Sequence, residues 1–330
     1  MTSTKGWNMV SADPTTDPTA EIRMRPVASG LQFPEGPIAL RDGSVLLVEI
    51  QRGTLSRVAP DGTVSVVADL GGGPNGAAIG PDGAAYVCNN GGFEWHDRNG
   101  ITAPGHQPAD YAGGRIQRVV LDGPDAGTVT DLYTECDGRP LRGPNDIVFD
   151  AEGGFWFTDL GKSRHRDSDT GALYYAQPDG SSITEVVHPL VQPNGVGLSP
   201  DGSRVYVAET GPGRVWCWDV DGPGRVRRAE GGPGGARLLH GFAGYQMLDS
   251  LAVDGDGNVC VATLLTGAVS MIAPDGTLLR QVPVPEPDPF VTNICFAGAG
   301  SRTAFVTSSG RGVLYTLEWP TAGLDLAFSA

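Results

Sequence analysis

Six residues with side-chain oxygens recur at one position of a repeated sequence segment. The recurring residues are Glu35, Asn75, Asn145, Asn194, Asp249 and Asn293. Carboxylates and carboxamides together make an oxygen-only ligand set, which suits hard divalent cations. Because the set contains no histidine or cysteine, Ca²⁺ fits best, with Mg²⁺, Mn²⁺ or Zn²⁺ as alternatives. We therefore predict a site for one divalent cation where these positions meet.

The same residues have a simpler interpretation, because Asn and Asp before glycine are ordinary turn residues. Two observations favour a binding role. Each of the first five repeats has a separate turn further along, built from an acidic residue and glycine, as in Asp42-Gly43 and Asp201-Gly202. Glu35 is a poor turn former, yet it occupies the same slot as the asparagines.

The repeats also predict the elements that position these residues. Each repeat contains two short strands joined by a tight turn, and a second strand pair completes the period. Successive repeats lie between 40 and 70 residues apart. Four strands per period are typical of a propeller blade, so six repeats predict an all-β, six-bladed β-propeller with a central metal site. The innermost strands line a shared channel, so the recurring residues are expected to converge at its mouth.

The domain boundaries follow from this arrangement. Residues 1–20 are expected to be a flexible N-terminal arm, and residues 21–330 a single propeller domain. A strand within 21–30 is expected to close the ring beside the C-terminal V-L-Y-T-L-E-W. Residues 91–114 form an insertion that predicts either a lid over the metal or a surface loop. The insertion carries Trp95 and His96.

Composition excludes several classes of function. The chain has 330 residues, a net charge of −15 and a pI near 4.6, which disfavours binding to nucleic acid or to an anionic membrane. No apolar run is long enough for a membrane helix or a secretory signal. The five cysteines form no C-x-x-C pair, which indicates reduced thiols and a cytoplasmic location. The five histidines are scattered, with no His-x-x-x-His pair for a zinc protease.

Several segments carry a resemblance to a known family. They are F-P-E-G-P, G-P-N-D-I-V-F-D-A-E-G-G-F-W-F-T-D, Q-P-N-G-V-G-L-S-P-D-G-S-R-V-Y-V-A-E-T and L-D-S-L-A-V-D-G-D-G-N-V-C-V-A-T. Together they resemble the senescence-marker-protein/gluconolactonase/luciferin-regenerating-enzyme family, and P-N-D-I-V-F-D is most similar to its drug-responsive lactonase branch. The resemblance covers roughly residues 25–318. It implies a six-bladed propeller with a central divalent cation that hydrolyses lactones, and a phosphotriesterase branch that uses the same site.

The resemblance also implies roles for individual residues. Glu35, Asn194 and Asp249 match the family's metal ligands. Asn145 matches a position that is a ligand in some branches and a substrate contact in others, and Ser250 resembles a minor ligand. The sugar-lactonase branch has an arginine two residues before the position of Asn145, where this sequence has Gly143. That departure disfavours an aldonolactone as the substrate.

The sequence therefore predicts a metal-dependent hydrolase acting on a small-molecule lactone or ester. The expected metal ligands are Glu35, Asn145, Asn194 and Asp249, with Asp249 also the catalytic base that accepts a proton from the attacking water. The expected substrate contacts are Asn75, Asn145, Trp95 and His96. Two alternatives remain at this point: a phosphotriesterase-like or pathway-specific enzyme using the same metal site, and a non-catalytic propeller that binds a partner.

Overall fold

Six antiparallel β-sheets surround a central channel in the computed structural model, which describes residues 22–229 and 231–329. Each sheet has at least four strands, and the six sheets are the blades that the repeats predict. The predicted fold class, an all-β six-bladed propeller, is confirmed. The expected flexible arm, residues 1–20, lies outside the described residues.

The strands are numbered along the chain and the blades by their order in it. The first strand is β1 (Arg25–Ala28). Blade 1 contains β2 (Pro34–Ala39), β3 (Val45–Glu49), β4 (Thr54–Val58) and β5 (Val64–Asp69). Blade 2 contains β6 (Pro74–Ile79) and β7 (Ala85–Asn89), then a hairpin of β8 (Trp95–Asp97) and β9 (Thr102–Pro104), then β10 (Arg115–Val119) and β11 (Val129–Tyr133). A short hairpin of β12 (Glu135–Cys136) and β13 (Arg139–Pro140) leads to blade 3.

The remaining blades follow in the same order. Blade 3 contains β14 (Pro144–Phe149), β15 (Phe155–Asp159), β16 (Gly171–Ala176) and β17 (Ile183–Leu190). Blade 4 contains β18 (Pro193–Leu198), β19 (Arg204–Glu209), β20 (Arg214–Gly222), the short β21 (Arg225–Val226), a 3₁₀ turn (Pro233–Gly235) and β22 (Arg237–Gly241). Blade 5 contains β23 (Met247–Val253), β24 (Val259–Leu264), β25 (Ala268–Ile272) and β26 (Leu278–Pro283). Blade 6 contains β27 (Val291–Phe296), β28 (Thr303–Ser308) and β29 (Val313–Glu318).

The ring of blades closes through β1, which pairs antiparallel with β29 and completes blade 6. Arg25 pairs with Thr316 and Pro26 with Tyr315. The last blade thus combines strands from both ends of the domain, in agreement with the expected closing strand within residues 21–30. This pairing closes the ring between blades 6 and 1. A closed propeller leaves only short, protected sheet edges.

The turns between the first two strands of a blade explain the recurrent acidic-Gly pairs. Gly43 has a φ of 85° and Gly83 a φ of 74°, a conformation that favours glycine. The carboxylate of Asp42 accepts a hydrogen bond from the Ser44 backbone N–H at 3.0 Å. These local contacts determine the hairpins, and for that reason the acidic-Gly pairs predict them from the sequence.

Aromatic side chains fill the spaces between blades. Trp156 of blade 3 lies 5.0 Å from Tyr175, centroid to centroid, in a cluster that also contains Trp218 of blade 4. Tyr86 of blade 2 packs on Phe149 of blade 3 at 5.1 Å. Such buried aromatic contacts hold neighbouring blades at fixed distances, so the inner strands form a rigid wall around the channel.

Each inner strand (β2, β6, β14, β18, β23 or β27) has an irregular register near its first residues. In blade 1 the pairing with β3 shifts between Glu35 and Ile38, and in blade 5 the pairing with β24 shifts between Leu248 and Leu251. Equivalent shifts occur in the other four blades. A bulge re-aims the side chains beside it. The recurrent oxygen-bearing residues lie within or at the edge of these irregular segments.

The lower part of the channel is an apolar cavity of about 580 Å³. Its wall consists mainly of the later residues of the inner strands, including Ile38 and Phe149, and the C-terminal residues 324–329 cover its far end. Phe328 packs on Phe149 with ring centroids 5.7 Å apart. We call the end of the channel where the inner strands begin the upper face.

No helix in residues 22–229 and 231–329 is long and apolar enough to cross a membrane. The five cysteines are unpaired, and Cys88, Cys136, Cys217 and Cys260 are buried. Burial raises the pKa of the Cys88 and Cys260 thiols well above its usual range. The thiols therefore have a packing role, as the absence of a C-x-x-C pair predicts.

Candidate metal centre

The recurrent residues at the start of the inner strands meet at the upper end of the channel, and we call them the ring. The ring consists of Glu35, Asn75, Asn145, Asn194, Asp249 and Asn293. Asn293 Nδ2 donates to Glu35 Oε2 at 2.7 Å and so joins blades 6 and 1. Ser250 Oγ, beside Asp249, lies 3.4 Å from Asn194 Oδ1 and joins blades 5 and 4. The predicted ligands from different blades are therefore neighbours in space.

Glycines after three ring residues allow this close approach. A Cβ at Gly36 would lie 2.6 Å from the carbonyl oxygen of Asn75, and one at Gly76 would lie 2.5 Å from the carbonyl oxygen of Asn145. A Cβ at Gly195 would lie 2.5 Å from the Leu251 nitrogen. No side chain fits at such distances, so the glycine of the P-E-G and P-N-G motifs is required for packing one inner strand on the next.

Three ring oxygens are buried without a hydrogen-bond partner: Glu35 Oε1, Asn75 Oδ1 and Asn145 Oδ1. Among the described residues only six buried side-chain nitrogen or oxygen atoms share this condition, so half of them lie at one site. Leaving such an atom unpaired costs about 1–3 kcal/mol. A cation would satisfy oxygen atoms that have no donor. Carboxylate and amide oxygens are also the ligands that a hard divalent cation prefers, so the residues present fit the predicted metal.

The electrostatics of the ring favour a positive charge. Burial raises the pKa of Glu35 well above its usual range, and the carboxylate of Asp249 raises it further. Burial also raises the pKa of Asp249, with an added contribution from Asp146 and an opposing hydrogen bond from Asn194. Carboxylates crowded in this way retain their negative charge only at a cost. A divalent cation at the ring would offset that cost.

Asp146 is a third carboxylate of this site that the sequence interpretation missed. Its oxygens accept hydrogen bonds from the backbone N–H groups of Ile147 at 3.0 Å and Val196 at 3.2 Å. Burial raises its pKa to about 7. The signal was present in the sequence, because blade 3 begins P-N-D where blades 2 and 4 begin P-N-G. The aspartate takes the place of the packing glycine and places a carboxylate inside the channel.

Comparison with known proteins is consistent with this geometry. Residues 33–310 match the family described as SMP-30/Gluconolactonase/LRE-like region. The chain belongs to this family. A lactonase, drp35, from Staphylococcus saprophyticus is 34% identical over 274 residues, covering 82% of this chain and 75% of that protein. The resemblance predicted from the sequence is thereby confirmed.

Solved structures of other propeller proteins share the fold. A gluconolactonase from Xanthomonas campestris is 22% identical, with a TM-score of 0.69 over 90% of this chain and 89% of that one. Regucalcin from Agrobacterium tumefaciens, described as a calcium-binding protein, is 18% identical, with a TM-score of 0.67 over 90% of this chain and 93% of that one. At these identities the likeness supports the propeller fold.

In this SMP-30/gluconolactonase-like chain, acidic or amide residues at the ends of second strands hold the loops that lead into the inner strands. Asp159, at the end of β15, accepts hydrogen bonds from the N–H groups of Arg142 and Gly143, both at 2.7 Å, and of Gly161 at 2.9 Å. Glu209, at the end of β19, accepts one from Val191 at 2.7 Å. These residues act as rim supports, and through the loops they position Asn145 and Asn194.

Replacing Asp159 by alanine is expected to lower the free energy of unfolding by about 3 kcal/mol, because three backbone N–H groups, two of them buried, lose their acceptor. The measurement is urea denaturation, with the exposed Asp125→Ala as the matched control, which is expected to change stability by less than about 0.5 kcal/mol. Equal stability of the two variants would show that other groups hold this loop.

The insertion, residues 91–114, extends from blade 2 across the upper face. Trp95 packs on Phe33 of the loop before blade 1, with ring centroids 5.1 Å apart. Thr102 donates its N–H to the carbonyl of Gly310 in blade 6 at 2.8 Å. On the other side, Gln107 donates its N–H to the carbonyl of Ser163 in blade 3 at 2.9 Å. The insertion thus contacts three other blades on the upper face.

The two predicted substrate contacts of the insertion lie in different surroundings. Trp95 is half-buried among aromatic rings, with Phe93 6.0 Å and Phe33 5.1 Å away by ring centroids. His96 is exposed, and its Nε2 lies against Gly105. Their contact with a substrate remains a prediction, and Trp95 is the better placed of the two because it belongs to the aromatic cluster of the upper face.

A buried lysine fastens the insertion to blade 3. Lys162 Nζ donates to the carbonyl of Gly92 at 2.5 Å and lies 4.2 Å from the centre of the Phe93 ring. Only 2% of the residue is exposed. Burial lowers the pKa of the ammonium group to about 7, against the opposing effect of Asp159 and Asp169. The first residues of the insertion are therefore held by a lysine that loses its proton near neutral pH.

The lowered pKa of Lys162 predicts a pH-dependent stability. Between pH 7 and the ordinary lysine pKa of 10.5 the unfolded chain holds a proton that the native chain has lost. Native stability should therefore rise with pH in this window, by at most about 1.4 kcal/mol per pH unit. The measurement compares wild type with Lys162→Met by urea denaturation from pH 7 to pH 10. Parallel curves for the two proteins would contradict the assignment.

Proposed function

We propose that this protein is a divalent-metal-dependent hydrolase that opens a lactone ring at the upper mouth of the propeller. The observation that carries the proposal is the set of unpartnered, buried ring oxygens at Glu35, Asn75 and Asn145. Membership of a family with lactonase relatives, one of them 34% identical, supports lactone hydrolysis as the reaction. A propeller that served only as a scaffold would have no physical reason to bury unpaired oxygens beside crowded carboxylates.

The residues proposed to hold the ion are Glu35, Asn145, Asn194 and Asp249, with Ser250 as an additional oxygen donor. Carboxylate, amide and hydroxyl oxygens favour Ca²⁺, with Zn²⁺, Mn²⁺ and Mg²⁺ as alternatives. A divalent cation bound there would stabilise the negative charge that develops on the lactone carbonyl oxygen under attack.

Asp249 is the proposed general base. Oδ1 of its carboxylate accepts the backbone N–H of Ser250 at 3.1 Å, which fixes the orientation of the group. The loss of hydration raises its pKa and so increases its affinity for the proton of the attacking water. The unpartnered amide oxygen of Asn75 is available to accept a hydrogen bond from that water or from a substrate hydroxyl. Asn145 would serve as an ion ligand or as a second substrate contact.

The upper face favours a small or medium-sized lactone with apolar substituents over a sugar lactone. A Cβ at Gly143 would lie 2.4 Å from the carbonyl oxygen of Gly161, so no arginine fits where the sugar-lactonase branch has one. The insertion instead brings aromatic rings, Phe93 and Trp95, to the same face. We propose that the insertion acts as a cover that excludes water around the bound lactone.

The experiment is a substrate panel with the protein as purified. Hydrolysis is followed by acid release, from ring opening of γ- and δ-lactones with alkyl chains and of an aldonolactone, and from ester cleavage of a phosphotriester. Preferential turnover of the alkyl lactones is expected. Turnover of the phosphotriester alone would contradict the lactonase proposal and favour the phosphotriesterase alternative. Tight metal binding without turnover of any of these substrates would favour a binding module.

A further inference from the structure

A second group of metal-ligating side chains lies on the upper face, outside the ring. Glu94, His106 and His165 place one carboxylate oxygen and two imidazole nitrogens within 4.8 Å of one another. Glu94 precedes β8 and His106 follows β9, so both belong to the insertion. His165 comes from the loop between β15 and β16 of blade 3. The scattered positions of the histidines in the sequence conceal this grouping.

Backbone hydrogen bonds hold the two insertion residues opposite each other. The N–H of Glu94 donates to the carbonyl of His106 at 2.9 Å, and the N–H of Gly105 donates to the carbonyl of Glu94 at 2.7 Å. Trp95 pairs with Pro104 in the adjoining hairpin. The side chains of Glu94 and His106 are therefore brought together by the fold of the hairpin, without help from a direct bond between them.

The loop that carries His165 is equally well defined. The N–H of Asp169 donates to the carbonyl of Lys162 at 3.0 Å, and Arg164 makes a salt bridge of 2.9 Å with Asp169. Gln107, next to His106, donates its N–H to Ser163 at 2.9 Å and so joins the insertion to this loop. The three ligands thus come from segments whose relative positions are set by the backbone.

The side chains themselves are left with capacity to bind a ligand. His106 Nδ1 and Glu94 Oε2 are 3.9 Å apart, which is too long for a hydrogen bond. The two imidazole rings lie 4.5 Å apart by their centroids. About two-fifths of the side-chain surface is exposed for both Glu94 (40%) and His106 (42%), so an ion has access from solvent. An ion between the three groups would replace a gap with coordinate bonds.

We propose that Glu94, His106 and His165 form a second divalent-cation site, selective for zinc-type ions. Two imidazoles and one carboxylate are a borderline-soft ligand set that suits Zn²⁺ and leaves a position for water, whereas Ca²⁺ and Mg²⁺ prefer oxygen ligands alone. The site differs in chemistry from the oxygen-only ring. An ion bound here ties the insertion to blade 3 and fixes its position over the upper face.

The test is a Zn²⁺ titration by calorimetry of the full-length protein in excess Ca²⁺, which fills the ring. Wild type is expected to bind one Zn²⁺ per chain. His106→Ala and His165→Ala should each weaken that binding by more than about 100-fold, since loss of even outer-shell partners costs 10- to 100-fold. His240→Ala, a histidine outside the group, should bind Zn²⁺ as wild type does. Equal affinity in all four proteins would overturn the proposal.

Two further comparisons separate this site from the ring and from effects on folding. Glu35→Gln alters the ring, so it should leave the Zn²⁺ affinity unchanged; loss of Zn²⁺ binding in that variant would place the ion in the ring and overturn the proposal. Tryptic cleavage after the exposed Arg98, between β8 and β9, should slow on adding Zn²⁺ to wild type but not to His165→Ala. Equal slowing in both would also contradict the site.

Discussion

Asp249→Ala is expected to lower kcat/KM for lactone hydrolysis by about 10³-fold or more and to abolish tight Ca²⁺ binding. One carboxylate serves as both proposed ligand and proposed base, so both properties depend on it. The measurements are kcat/KM on an alkyl δ-lactone and a Ca²⁺ titration of the metal-stripped protein. His240→Ala is the matched control. Its imidazole bonds the carbonyl of Gly276 at 2.8 Å, away from the ring, so both quantities should stay nearly unchanged.

Asp249→Asn separates the two roles of this residue. The amide keeps an oxygen for the ion but cannot accept the proton from water. We expect Ca²⁺ to bind, more weakly than in wild type, while kcat falls by about 10²- to 10⁴-fold, the usual contribution of a general base. Full turnover by Asp249→Ala would refute the site assignment altogether. Full turnover by Asp249→Asn alone would move the base to another residue.

The effect of Glu35→Gln on the free energy of unfolding is expected to change when Ca²⁺ is added, from neutral or stabilising to destabilising relative to wild type. Without metal the variant should be at least as stable as wild type, because burial and the Asp249 carboxylate already disfavour a charge at this position. With Ca²⁺ at about 100 times its Kd, wild type gains about 2.7 kcal/mol, and the variant should gain much less. Urea denaturation in chelator and in Ca²⁺ measures both differences.

The control for this reversal is Glu152→Gln, which removes one carboxylate from an exposed turn. Its stability relative to wild type should be the same with and without Ca²⁺. Equal stabilisation of wild type and Glu35→Gln by Ca²⁺ would show that Glu35 is not a ligand, whatever the other ring residues do.

The sequence predicted the parts of this structure that depend on local rules. Acidic-Gly turns such as Asp42-Gly43 favour tight hairpins, and the six repeats, five of which carry such a turn, give the number of blades. The ring followed from the same repeats, since equivalent positions in a closed propeller converge on the axis. Closure by β1 was also predictable, because an isolated strand at one end of the chain needs a partner at the other.

What the sequence did not reveal depends on contacts between distant segments. The sequence shows Asp146 in the place of the packing glycine, but that its carboxylate lies inside the channel depends on the close approach of Gly76 to blade 3. His106 and His165 become neighbours only through the path of the insertion across blade 3. The C-terminal cover of the channel, including Phe328, likewise depends on where the closed ring places the end of the chain.

The most direct test of the central proposal is the activity of metal-stripped wild-type protein on an alkyl δ-lactone as Ca²⁺ is added back. We predict no measurable turnover in chelator, and recovery in proportion to bound Ca²⁺ that saturates at one ion per chain. Full turnover in the stripped protein, with no response to Ca²⁺, Zn²⁺, Mn²⁺ or Mg²⁺, would contradict a metal-dependent hydrolase at the ring.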